Sequence, residues 1–125
     1  MTSFRMQRIN KELLREISIL LQSEIKDERA KRAILIEVDC SKDLSHAKVY
    51  YTTLRKEDRE EVQKGLDKAS KLIRSILGRQ MHLRQIPELR FEYDLVEEKA
   101  RKLEAVLDSI KSKEDSKKEG PEESL

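Results

Sequence analysis

The sequence has one cysteine, no tryptophan, three glycines and two prolines in 125 residues. With Cys40 as the single thiol, no intramolecular disulfide can form, and a reducing, cytoplasmic compartment is the natural setting. Gly65, Gly78 and Gly120 are too few and too scattered for a phosphate-cradling loop or a dinucleotide fingerprint. Cys40, His46 and His82 have no metal-ligand spacing, and HExxH, CxxC, EF-hand and GxSxG patterns are missing, so no metal, cofactor or enzymatic chemistry is expected. No stretch approaches the ~18 apolar residues of a membrane span. The opening MTSFRMQRINK lacks the apolar run of a secretory signal, so neither export nor membrane anchoring is expected. With five aromatics in the chain, the core should be aliphatic.

Charge is what the chain has in quantity: 42% of residues are Asp, Glu, Lys or Arg, against 37% hydrophobic. The net charge is only +2, but it is unevenly placed, with 20 basic and 14 acidic residues in 1–91 and 7 and 11 in 92–125. A basic body followed by an acidic end favours a polyanionic partner for the body, although position says more than total. The length fits one domain with a modest core.

The stretch from Glu60 to Arg79 carries both core and charge. Val62, Leu66, Ala69, Ile73, Ile76 and Leu77 recur at spacings of three and four, the stripe of an amphipathic helix. Lys64, Lys68, Lys71 and Arg79 fall on the opposite side, with Arg74 on the flank and Asp67 the only acid among them. A solvated face needs polar residues too, and Lys and Arg are good helix formers. Solvated faces usually mix signs, however, as residues 97–108 do, and this ridge does not.

Around that helix the pattern is mixed. Ile9, Leu13, Leu14, Ile17, Leu20, Leu21 and Ile25 trace a first helix, capped by Ser3 or Asn10, with Arg5, Arg8, Lys11 and Arg15 at its start, where the helix dipole disfavours cations. Residues 26–32, KDERAKR, read as a charged loop. Ile34, Ile36 and Val38 alternate with Leu35, Glu37 and Asp39 as a half-buried strand. Turn residues 40–46 then lead to a second strand in which Ala47, Val49, Tyr51 and Thr53 alternate with Lys48 and Tyr50, so a hairpin is predicted. Lys48 beside Tyr50 could meet RNA, but ordinary amphipathic strands look the same. Gly78 can end or kink the central helix, with a short helix or loop to Gln85. Pro87 closes that segment, and Leu89, Phe91 and Tyr93 mark a third strand. Val96, Ala100, Leu103, Leu107 and Ile110 mark a final helix; residues 111–125, apolar only at Leu125, should be a disordered charged tail after a domain spanning 1–110. The class is α+β.

Arg8-Ile9 and EIKDER at the end of the first helix, VDCSKDLSHAKVYYT at the hairpin, KASKLIRSILGRQMHLRQIPELRF through the central helix to the third strand, and KARKLEAVL in the last helix together resemble the ribosome-binding factor A family, in order and over about residues 5–108. The resemblance implies a KH domain of type II order, αββααβ, with an additional C-terminal helix. It also implies a non-enzymatic, cytoplasmic and monomeric maturation factor. Such a factor binds the free small ribosomal subunit (30S) and its 16S rRNA, aids processing of the 5′ end of that RNA, and matters most in the cold. The family's Ala-x-Gly helix kink reads Ala69-Ser70-Lys71 here, and its Asp-Pro-Arg reads Asp27-Glu28-Arg29. The expected RNA-facing residues are Lys64, Lys68, Lys71, Arg74, Arg79 and Arg84, aided by Arg5 and Arg8. A single-stranded RNA-binding KH module and an adaptor for an acidic protein are the competing readings.

Overall fold

Helix α1, Phe4–Ser23, starts earlier than its apolar stripe suggests, because Ser3 accepts a hydrogen bond from the Met6 amide and Met6 is itself buried. Asn10 is no cap. It lies within the helix, and its side-chain oxygen accepts the Cys40 amide at 2.9 Å, tying α1 to the sheet. Residues 3–95, with Leu107 and Ile110, are described in this computed structural model, which divides into two units, Met1–Tyr93 and Asp94–Leu125. Most of the expected C-terminal helix and all of the charged tail lie outside the described residues; Leu95, Leu107 and Ile110 are helical.

The expected charged loop after α1 contains a one-turn helix, α2, Glu28–Lys31. Asp27 caps it by accepting the Arg29 amide at 2.9 Å, and the Arg29 guanidinium returns to the same carboxylate at 3.1 and 2.9 Å. The turn forms because Ala30 has somewhere to go. It is fully buried against the third helix, where Gly65 leaves its backbone bare.

Strands β1, Ile34–Cys40, and β2, His46–Thr52, form the predicted antiparallel hairpin, and β3, Glu88–Tyr93, lies parallel to β2, giving the order β1-β2-β3. Val38, Cys40, Ala47, Val49, Tyr51, Leu89 and Phe91 face the core. Ile34, Ile36 and Val38 do not share one face, as strict alternation requires. A register shift between Leu35 and Glu37 inserts Ile36 as a bulge, leaving Ile34 exposed and packing Leu35 on the core. In the hairpin turn Leu44 takes φ 60°, a left-handed conformation costly for a leucine, and holds it with its side chain buried and its amide on the Ser41 carbonyl.

After a short 3-10 turn, Lys56–Asp58, helix α3 runs unbroken from Arg59 to Gln80. All six predicted stripe residues are buried, each supplying roughly 1.5–3 kcal/mol of burial free energy if it is aliphatic and large. Gly78 neither ends nor separates a second helix: no glycine among the described residues has positive φ, and the cap is Met81, whose amide bonds the Leu77 carbonyl. The described part therefore has one long helix where the resemblance implies two, and Ala69-Ser70-Lys71 lie inside it. Helices α1 and α3 pack on one face of the sheet.

Candidate nucleic-acid interface

The stripe that buries Ile73 fixes where α3 points its cations. Lys64, Lys68, Lys71 and Arg79 are all exposed on the far side, as the 3.6-residue period requires. Their partners differ. Lys64 lies 3.5 Å from Glu61, which also draws Arg29 to 3.6 Å, so the N-terminal end of the ridge is largely neutralised. Lys68 and Lys71 have no ion partner among the described residues, and Arg79 makes a single contact, donating to the Ser75 hydroxyl at 3.3 Å. The usable charge sits on the C-terminal two-thirds of the helix.

Arg74 does a different job from its neighbours. Its Nε and Nη2 both donate to the Ile86 carbonyl, at 3.2 and 3.0 Å, and so hold the 81–87 segment against α3. That places Arg74 between two hollows, one lined by Lys71, Ser75, Gly78, Gln85 and Ile86, the other by Ser70, Lys71, Leu89 and Arg90 and measuring about 410 Å³. Lys71 borders both. Arg90, not singled out from the sequence, enters the second cleft from β3, although Glu92 lies 3.5 Å away and moderates its charge. Its alternation with buried Leu89 and Phe91 was the available signal; nothing in the sequence places β3 beside the ridge.

The hairpin turn anchors the same segment from the other side. The Gln85 side-chain Nε2 donates to the Asp43 carbonyl at 2.8 Å, and the Glu88 backbone amide to the Ser45 carbonyl at 2.9 Å. Asp43 itself accepts from the Ser45 and Ser41 hydroxyls and the Ser45 amide, which holds its pKa down at about 2. Exposed Arg84 thus stands at the hairpin end of the domain. Arg5 and Arg8, also exposed, approach that end on α1, because Asn10 is bonded to Cys40 at the strand's close. They are not on the α3 ridge.

The open face of the sheet is a poorer anion site. Asp39, Lys48 and Arg90 stand in register across it, as do Glu37, Tyr50 and Glu92, and His46 sits 3.9 Å from Glu88. Four carboxylates beside two cations leave Lys48 and Tyr50 in an acidic setting. Beneath the sheet, Tyr51 donates to Gln63, whose amide nitrogen reaches the Phe91 carbonyl at 2.9 Å and Asp67 at 3.0 Å. Asp67, the acid beside the ridge, is thereby held toward β3. Burial pushes the Tyr51 phenol up to about 12 and raises the Cys40 thiol, so neither ionises at neutral pH. Among the described residues no group of three or more His, Cys, Asp or Glu side chains could hold a metal ion, and no helix is long and apolar enough to cross a membrane.

The family model described as "Ribosome-binding factor A" matches residues 5–107. The chain belongs to the ribosome-binding factor A family. A curated relative, the ribosome-binding factor A of Francisella tularensis subsp. novicida, is 46% identical over 90 residues, covering 72% of this chain and 63% of the relative, so the match spans a little under two thirds of that protein. In structure the chain is similar to the crystal structure of ribosome-binding factor A from Thermus thermophilus, with a TM-score of 0.63, 26% identity, and coverage of 70% of this chain and 93% of that one. It is also similar to a homology model of the Thermus thermophilus factor fitted into a cryo-EM map of a 30S–RbfA complex, at TM-score 0.55 and 28% identity over 66% of this chain and 88% of that one.

Proposed function

We propose that this protein binds the free small ribosomal subunit through its 16S rRNA and assists late subunit maturation, including processing of the RNA's 5′ end, without catalysing a reaction itself. The observation that carries this reading is the one-sided row of exposed cations on α3, in which Lys68 and Lys71 have no ion partner among the described residues and Arg79 is left with donors to spare. Such groups neutralise phosphates, giving affinity and register without base-by-base readout. The ridge has no glycine-rich clamp and no aromatic side chain on which bases could stack, so folded RNA should be recognised by shape and charge. Membership of the family, and the Thermus thermophilus relative fitted to a 30S map, support the small subunit as the target. Action as a monomer in the cytoplasm belongs to the same proposal.

Co-sedimentation with purified ribosomal subunits tests it. The protein should pellet with small subunits lacking bound large subunits, undiminished by saturating short single-stranded RNA as competitor, and much less with large subunits. Equal binding to short oligonucleotides would instead favour a single-stranded RNA module, and no binding to small subunits would overturn the reading.

A further inference from the structure

On the flank of α3 opposite β3 lies a second groove, of about 390 Å³, lined by Ile25, Lys26, Asp27, Lys68, Ala69 and Leu72. We propose that it is a docking site for a protein partner: an acidic segment that inserts a leucine-like side chain. The floor is aliphatic, with Ile25 and Ala69 buried at its base and Leu72 left 50% exposed on a helix whose other large apolar stripe residues are all covered. Burying that exposed leucine is favourable for any apolar occupant. Lys26 and Lys68 stand on the two sides, both exposed and without an ion partner among the described residues. The one acid on the rim, Asp27, does not cancel them, because the Arg29 guanidinium and amide already occupy both of its oxygens.

Charge therefore selects an anionic partner, and the floor selects its chemistry. No aromatic side chain lines the groove, so a nucleobase would find no stacking platform, whereas an aliphatic side chain between carboxylates complements the apolar floor of Ile25, Ala69 and Leu72 and the flanking Lys26 and Lys68. The groove is walled by the residues that follow α1 and by the cap of α2; Ile25 is buried and α2 is seated on α3 at Gly65, so the groove is formed before any partner arrives.

The test is a methyl NMR titration of the full chain with an eight-residue peptide of alternating glutamate and leucine. Controls are the same peptide with alanine for leucine, and octauridylate. The glutamate–leucine peptide should shift the Ile25, Ala69 and Leu72 methyls saturably. Leu72→Asp, at a half-exposed position, should weaken binding about tenfold, and Lys26→Glu with Lys68→Glu at least about fivefold. The proposal is overturned if those methyls do not move, if the alanine peptide binds as well, or if octauridylate shifts them at lower concentration than the peptide. No ribosomal component is present, so the result is independent of whether the protein binds small subunits.

Discussion

Replacing Gly65 by alanine sets two physical effects against each other on α3. An alanine in a helix interior is favoured over glycine by roughly 0.5–1 kcal/mol, so an open helix would gain that much. Here a Cβ at Gly65 would stand 2.7 Å from the Ala30 amide nitrogen, 2.8 Å from Arg29 Cβ and 3.2 Å from the Arg29 carbonyl carbon. Two of these are backbone atoms of α2, which cannot swing aside as the end of a side chain can. Carbon–nitrogen contact needs about 3.5 Å, so α2 must lift and carry buried Ala30 and the Asp27–Arg29 clasp with it. Overpacking of this kind costs about 1–3 kcal/mol, leaving a net loss of up to about 2.5 kcal/mol after the helix gain. Urea unfolding followed by circular dichroism should show a lower midpoint at unchanged slope, and heating a melting temperature lower by up to about 10 °C. A Gly65→Ala protein more stable than the parent would show that α2 is not seated on α3 as described.

Three further changes probe other parts of the fold. Ile73→Ala removes a fully buried side chain from the α3 stripe and should cost about 2–5 kcal/mol in the same unfolding assay; a loss below about 1 kcal/mol would mean that the stripe does not face the core. Glu28→Pro should stabilise by about 0.4–1 kcal/mol. Position 28 is the first residue of α2, where no amide is needed, and Asp27 already has the extended conformation, φ −73° and ψ 112°, that a residue before proline requires. Asp27, through the Arg29 guanidinium, and Asp43, through Ser45 and Ser41, are both held at about 2, below the ordinary value of 3.8. The folded pKa values are depressed, so their contribution is complete above about pH 4 and is lost as pH falls toward 2. Melting temperature followed from pH 5 to 2 should drop across that window, and drop less steeply in an Asp27→Asn, Asp43→Asn variant.

The α3 stripe and the hairpin could be read from the sequence because their apolar residues repeat at 3.6 or 2 over long stretches, and every stripe residue from Val62 to Leu77 is buried. Helix α2 was hidden for the opposite reason. It buries one small residue, Ala30, against a glycine 35 positions away, and neither carries a local signal. The β1 bulge was invisible because Ile34, Leu35 and Ile36 are all apolar, so the pattern cannot show which of them is the extra one. At the interface, exposure of the lysines followed from helical phase, but their partners did not. Glu61 beside Lys64 and the Ile86 carbonyl beneath Arg74 are tertiary facts, and they divide a row of look-alike cations into paired, structural and free. For that reason Arg74→Glu is a poor probe of RNA binding, since it would also release the 81–87 segment.

Lys68→Glu with Lys71→Glu avoids that ambiguity, because both side chains are exposed and carry no ion partner among the described residues. The decisive measurement is the affinity of parent and double variant for purified small subunits across a series of salt concentrations, with melting temperature followed alongside. If about five phosphates are neutralised, the parent's log affinity should fall with log salt at a slope of roughly −3.5 to −4.5. The variant should bind more weakly and with a slope flatter by about 1.5, while its melting temperature stays close to the parent's. A folded double variant with unchanged affinity and unchanged slope would contradict the claim that the α3 ridge is the surface that meets ribosomal RNA.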